Sequence, residues 1–311
     1  MLIPALLFLL LLLLALFGWV MLCYICARRD LPEGWEEERI LSSGNAVWQE
    51  AYRAGRDWLA HRETEEVEVQ SEDGFLLHGL LLPHVNPRAT VLLFSGWRSS
   101  WEMDFTCILP FLHAQRLQCI LVDERAQNDS EGRYITFGIR ERLDVTVWVD
   151  YAAARFGRSH PLLLQGLSMG ATVVLMASAV RFDANVRGIV ADCGFTSPHE
   201  IISKVFRDRT HLPPHFAVWL LDKYTRLFAD FGLEEYSTVT ALRKTGYPVL
   251  FLHGTRDGFV PCDMTRRNYD ACRGEKTMLL IEGATHGMSY LVARERVEAA
   301  YLEFLNKHVP Q

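Results

Sequence analysis

Gly166-Leu-Ser168-Met-Gly170 sets a serine between two glycines, directly after the apolar run Leu162–Leu164 and directly before the helix-like run Ala171–Val180. A serine hydroxyl is a poor nucleophile at neutral pH and needs a base to take its proton. A sharp strand-to-helix turn would present that hydroxyl, and glycines flank such a turn because side chains there would strike the neighbouring strand and helix. The base in turn needs a third group that fixes its tautomer and stabilises its charge. Two later loops supply candidates. His253-Gly-Thr-Arg-Asp257-Gly-Phe-Val-Pro261 follows the apolar run Pro248–Leu252, and Glu282-Gly-Ala-Thr-His286-Gly-Met288 follows Thr277–Ile281. Ser168, Asp257 and His286 then read as nucleophile, acid and base in chain order, each past the carboxyl end of an apolar run. The chemistry such a set carries is acyl transfer through a serine ester.

Other residues compete for these roles. The chain has eleven histidines. His253 is the rival base, but it lies before the acid instead of after it. Asp192, after the run Gly188–Ala191, is the rival acid. His211 and His215 are separated by Pro213-Pro214, which breaks any metal-binding helix face. The sequence contains no H-E-x-x-H cluster and no Gly-rich phosphate loop, so neither metal nor cofactor is implied. A tetrahedral intermediate needs donors for its oxyanion. The backbone N–H of Met169 is one, and the N–H of Trp97 in Ser95-Gly96-Trp97 is the second. Trp97 and Trp101 are also candidates for the wall of an acyl pocket.

These loops need a scaffold. Glu66–Gln70 alternates, Ser71–Gly74 is a turn and Phe75–Leu82 is apolar, which predicts a β-hairpin. Short apolar runs then recur between helix-like stretches: Thr90–Phe94, Cys119–Val122, Pro161–Gln165, Gly188–Ala191, Pro248–Leu252 and Thr277–Ile281. Runs of this kind suit strands buried on both faces. The pattern predicts an α/β fold with a mostly parallel central sheet and helices on both faces, over residues 66–311. Residues 197–247 break the alternation, with helix-like pieces around Ile201–Arg207 and Phe216–Phe228. They form a candidate helical lid, in which Phe206, Phe216 and Trp219 are candidate substrate contacts. Glu200, Asp222 and Glu234 could serve a substrate amine there.

Residues 1–29 form a separate element. Leu2 to Ala27 carries no charge and is longer than the roughly 20 residues that cross a bilayer. No basic residue precedes it and no small-x-small site follows, so it reads as an uncleaved N-terminal transmembrane helix and not as a signal peptide. Arg28 and Arg29 flank it, which by the positive-inside rule places the remaining domain in the cytoplasm, with the extracytoplasmic side as the alternative. Residues 30–65 read as a linker, acidic from Asp30 to Arg39, followed by an amphipathic helix between Asn45 and His61. Seven cysteines scattered through the chain read as reduced thiols and not as a disulfide framework. The net charge of -6, with no block of Lys or Arg, excludes a nucleic-acid partner.

Gly166–Gly170, Asp257 and His286 in this order resemble the α/β-hydrolase superfamily, and the resemblance extends over roughly residues 67–308. Ser95-Gly-Trp-Arg98 stands where many members carry His-Gly. Val122-Asp-Glu-Arg-Ala-Gln-Asn-Asp-Ser130 resembles their D-x-R-G-H-G-x-S segment. Asp192-Cys-Gly-Phe-Thr-Ser197 and the Gly-Thr-Arg-Asp257 loop are similar to bacterial, often membrane-anchored hydrolases of the serine aminopeptidase-like and BEM46-like branches. Ser95 in place of histidine and Arg125-Ala-Gln-Asn128 in place of Arg-Gly-His-Gly depart from the pattern around the site. The resemblance implies a hydrolase of an acyl ester, thioester or amide. The aromatic lid and the anchor, which keeps the site near a bilayer, make an apolar or lipid-like small-molecule substrate one option. An acyltransferase and a non-catalytic, membrane-tethered binding protein are the alternatives on the same fold.

Overall fold

The computed structural model describes residues 2–32 and 34–310. The apolar N-terminal run forms one helix, α1 (Leu2–Ile25), with Pro4 in its first turn, where the missing N–H breaks no helical bond. Among the described residues it is the one helix long and apolar enough to cross a membrane. Most of its side chains are exposed, but Met21, Leu22 and the following Cys26 join the main hydrophobic core. The stretch expected as a linker is partly helical: α2 spans Trp35–Ser42 and carries Glu36, Glu37 and Glu38 in its first turn. Carboxylates there favour the helix dipole, so an acidic run that reads as solvated linker folds. Glu33 lies outside the described residues. Helix α3 (Ala46–Ala60) starts where Asn45 accepts the Trp48 N–H at 3.1 Å.

The sheet has eight strands: β1 (Glu65–Gln70), β2 (Leu76–Leu82), β3 (Ala89–Phe94), β4 (Leu117–Val122), β5 (Leu162–Leu167), β6 (Val186–Asp192), β7 (Val249–Gly254) and β8 (Lys276–Ile281). Their order is β1-β2-β4-β3-β5-β6-β7-β8. The hairpin β1–β2 is antiparallel, β2 pairs antiparallel with β4, and the pairs from β4 to β8 are parallel. Side chains alternate between the faces, as a pleated strand requires. Leu92 and Phe94 of β3 enter one core, Val91 and Leu93 the other. Two buried faces explain why the central strands read as continuous apolar runs.

Helices fill both faces. α4 (Trp101–Phe105) and α5 (Leu109–Ala114) connect β3 to β4, α6 (Glu141–Phe156) connects β4 to β5, and α7 (Met169–Ala177) follows β5. Three helices form the insertion between β6 and β7: α8 (Pro198–Thr210), α9 (His215–Phe228) and α10 (Thr238–Leu242). α11 (Cys262–Ala271) precedes β8, and α12 (Ser289–Val292) and α13 (Arg294–His308) end the chain. Trp148 of α6 and the apolar side chains of α7 pack on one face, while Leu109 of α5 and Tyr301 of α13 pack on the other.

Helix α1 does not stand apart from this body. Tyr224 of α9 donates its hydroxyl to the Ala15 carbonyl at 2.9 Å, and its ring occupies the space a side chain at position 18 would need, since a Cβ on Gly18 would lie 2.5 Å from it. Trp19 meets Phe228 edge-on at 5.2 Å. Below the helix, Ala27 bridges Tyr134 and the Ile135 N–H donates to Cys26 O at 2.7 Å. The Arg28 guanidinium donates to the carbonyls of Asn128 (2.6 Å) and Ser130.

Candidate active site

Strand β5 delivers Ser168 with φ 56° and ψ −111°. A side chain rarely adopts positive φ, so the surroundings must impose it. The Ser168 N–H donates to Asp192 O at 2.8 Å, and the Thr172 N–H donates to Ser168 O at 3.1 Å. The flanking glycines are required sterically. A Cβ on Gly166 would sit 2.2 Å from the Gly170 backbone, and one on Gly170 would sit 1.9 Å from Phe94 O.

The loops after β7 and β8 bring the other two residues to Ser168. His286 Nε2 lies 2.9 Å from Ser168 Oγ, and His286 Nδ1 lies 2.7 Å from Asp257 Oδ2. An ionised carboxylate only accepts, so Nδ1 carries a proton and Nε2 is left to accept from the hydroxyl. Asp257 Oδ1 accepts the N–H groups of Phe259 and Val260, each at 2.8 Å. Burial alone would raise the Asp257 carboxyl. Hydrogen bonds from His253 and His286 and the nearby imidazole charge overcome this and hold it well below the usual carboxylate range.

His253, the rival base, is fully buried behind the acid. Its Nε2 donates to Val260 O at 3.0 Å and lies 3.3 Å from Asp257 Oδ2. Nδ1 is 2.7 Å from Thr265 Oγ1. Sequence reasoning missed that this second imidazole touches the Asp257 carboxylate; the H-G-T-R-D spacing carried the signal, in the form of a histidine at the strand end before the aspartate. Asp192, the rival acid, accepts instead from Ser289 Oγ at 2.8 Å, and burial raises its carboxyl.

The loop after β3 lies against the elbow, with the Cβ position of Gly96 3.5 Å from Ser168 Cβ. Its donors are mostly committed. The Gly96 N–H donates to Asp104 Oδ2 at 2.7 Å, and the Arg98 N–H donates to Gln127 Oε1. Asp104 also accepts from Ser99 Oγ at 2.7 Å. Between these tied groups, the N–H of Trp97 meets no protein acceptor among the described residues, and neither does that of Met169. The Trp97 indole N–H donates to Ile25 O at 3.1 Å, and Arg98 donates to Ala27 O at 3.0 Å. The loop is therefore fastened to the end of α1.

Two cavities meet at Ser168. One, of about 360 Å³, is lined in part by Arg39, Asp104, His286 and Tyr290. The other, of about 310 Å³, lies between α1 and α8 and is lined mostly by apolar side chains, Trp97 and Phe259 among them, with Ser168 and Arg209 and Thr210 of α8 as its polar members. Phe206 lines this second cavity. The other three candidate contacts lie elsewhere. Trp101 starts α4 and borders a surface hollow beside Arg56 and Leu59 of α3, because the helix turns Met103 and Phe105 inward in its place. Phe216 and Trp219 lie on the outer face of α9 and are about half exposed, because Ala217, Val218 and Leu221 take its inner face.

Cys193, Asp257 and His286 offer ligand atoms within 4.8 Å of one another. The set fits a metal ion poorly. The Asp257 and His286 atoms already serve each other, and burial pushes the Cys193 thiol well above its usual range, away from the thiolate a metal needs.

No family model matches the chain. Among curated proteins it is similar to the uncharacterized protein YqkD of Bacillus subtilis, 26% identical over 187 residues, which is 60% of this chain and 61% of that one. It is also similar to the uncharacterized protein YfhR of Salmonella typhi, 26% identical over 239 residues, or 72% and 75% of the two chains. The match thus spans under two thirds of the Bacillus protein. Among solved structures, the Pyrococcus furiosus esterase Pf2001 superposes with a TM-score of 0.65 at 22% identity, over 82% of this chain and 94% of its own. Est1E from Butyrivibrio proteoclasticus, solved with ferulic acid, gives 0.60 at 17%, over 78% and 98%. Sheet order, strand-end loops and these likenesses agree that the chain has the α/β-hydrolase fold.

Proposed function

We propose that the protein is a serine hydrolase that cleaves an acyl ester through an acyl-enzyme on Ser168, with His286 as base and Asp257 as orienting acid. The observation that carries this reading is the continuous hydrogen-bonded series from Ser168 Oγ through His286 to Asp257. In the forward step Ser168 Oγ bonds to the acyl carbon while its proton passes to His286 Nε2. The oxyanion is met by the free N–H groups of Trp97 and Met169. The bond to the alcohol breaks, and the alcohol leaves with the proton from His286. Water then repeats the sequence, releases the acid and restores the serine. Asp257 stays ionised and stabilises the imidazolium. The cavity lined by His286 and Tyr290 takes the leaving group, and the apolar cavity takes the acyl chain. That division favours an ester with an apolar acyl group over a peptide.

Helix α1 remains with the mature chain as a membrane anchor, and the hydrolase body faces the cytoplasm. Support comes from the hydrogen bonds of residues 25–28 to the body and from the Arg28-Arg29 flank. Protease protection of intact cells tests the side. Hydrolysis of p-nitrophenyl esters by the full-length protein tests the chemistry. Ser168→Ala is expected to lower kcat by about a thousandfold or more with circular dichroism unchanged; a variant that kept its rate would refute the nucleophile.

A further inference from the structure

We propose that α1 is a wall of the substrate site as well as an anchor, and that the substrate is a membrane-resident ester whose acyl chain reaches Ser168 from the bilayer between α1 and α8. This deepens the reading of Ser168 as nucleophile and rests on it. The apolar cavity that ends at Ser168 is bounded on one side by Val20 and Tyr24 of α1 and on the other by Ile202, Val205 and Phe206 of α8. Without α1 it would be an open groove. Hydrogen bonds from Tyr224 to Ala15 O and from the Trp97 indole to Ile25 O hold α1 on either side of Val20 and Tyr24.

Exposure places this wall beside the membrane. Leu16, Phe17, Trp19, Val20 and Tyr24 of α1 stay exposed along the stretch where Tyr224 of α9 reaches Ala15. The outer surface of α9 is apolar too. Phe216, Trp219, Leu227 and Phe228 are exposed there, and single apolar residues are common on surfaces whereas a cluster of this size marks a contact face. Lys223 on the same helix lies over the Trp219 ring, 5.8 Å from its centroid, and its stem is long enough to carry the ammonium toward the headgroups. Asp222, the acid of α9, accepts from Arg226 and from the Leu233 N–H and stays off that face. The apolar cavity lies beside this exposed stretch of α1, and Arg39 lines the second cavity. An ester lying at the interface would present its chain to the first and its polar alcohol to the second.

The test uses the full-length protein in phosphatidylcholine nanodiscs and a fluorophosphonate carrying a twelve-carbon chain with a terminal diazirine. After labelling and illumination, the cross-link is expected in the peptide of residues 15–25 or in α8. Cross-links confined to α4, α5 or α12 would overturn the proposal. In parallel, Val20→Trp and Val205→Trp are expected to lower the ratio of dodecanoate to acetate ester hydrolysis by about tenfold or more, because each fills the cavity. An unchanged ratio in both folded variants would also overturn it. Absence of Ser168 labelling by a small organophosphate would instead refute the nucleophile, whatever the path of the chain.

Discussion

Ser168, Asp257 and His286 hang from the ends of parallel strands, whereas the wall facing them is made of α1, α8 and α9, joined to the body by side chains and loop carbonyls. Backbone sterics fix the first region. Gly170 lies where any Cβ would collide with Phe94 O, and Asp257 is held by two backbone N–H groups. In the second region the contacts are a tyrosine hydroxyl, an indole N–H and an arginine fork. On the proposed function, the geometry that chemistry needs to within fractions of an ångström sits on the sheet, and the geometry that admits a substrate sits on packed helices.

If this division is right, damage to the two regions differs in kind. The largest effect is expected from Asp257→Asn, which should cost about 10⁴-fold in kcat by leaving His286 in the wrong tautomer. Asp192→Asn should cost less than about tenfold, and the opposite ranking, measured with one ester, would move the acid to Asp192. Gly170→Ala comes next. It should lower stability by about 3 kcal/mol or more in urea titration, because the clash is with backbone that cannot step aside.

A smaller effect separates the regions by pH. Asp123 follows β4, where its Oδ1 accepts from Asn128 Nδ2. Burial raises its carboxyl, opposed by the hydrogen bond from Asn128, to about 7. Its folded value exceeds the unfolded value of about 3.9, so the native state binds the extra proton between them. Stability should therefore fall as pH rises from about 4 to about 7. Asp257 has the opposite sign: its contribution is present above about pH 4 and is lost as pH falls below it. Asp123→Asn should stabilise the protein by about 1 kcal/mol at pH 8, with the gain vanishing near pH 4. Thermal melts across that range check this, and a constant offset would contradict it.

The strand-end region was legible because its signals are local. A glycine-flanked serine after an apolar run, and two loops after two more, need only short continuous apolar runs and turn sterics to be placed. His253 shows the limit. Its position four residues before Asp257, at the end of β7, was plain, but that its ring packs behind the acid, 3.3 Å from Oδ2, depends on how Val260 folds back. The wall was legible only as separate helices. Phe216 and Trp219 have the composition of pocket residues, and which face of α9 turns inward is set by Val218 and Leu221 packing on the body. That α1 touches α9 left no trace except Gly18, whose missing side chain makes room for Tyr224. Trp35–Ser42 reads as acidic linker because the stabilising dipole exists only once the helix has formed.

The measurement closest to the central claim is the mass of the peptide carrying Ser168 after the full-length protein in nanodiscs is exposed to a fluorophosphonate. The account predicts a single phosphonyl adduct on Ser168, lost in Ser168→Ala and slowed strongly in His286→Ala. A folded protein that forms no adduct, or forms it on another residue, would contradict it.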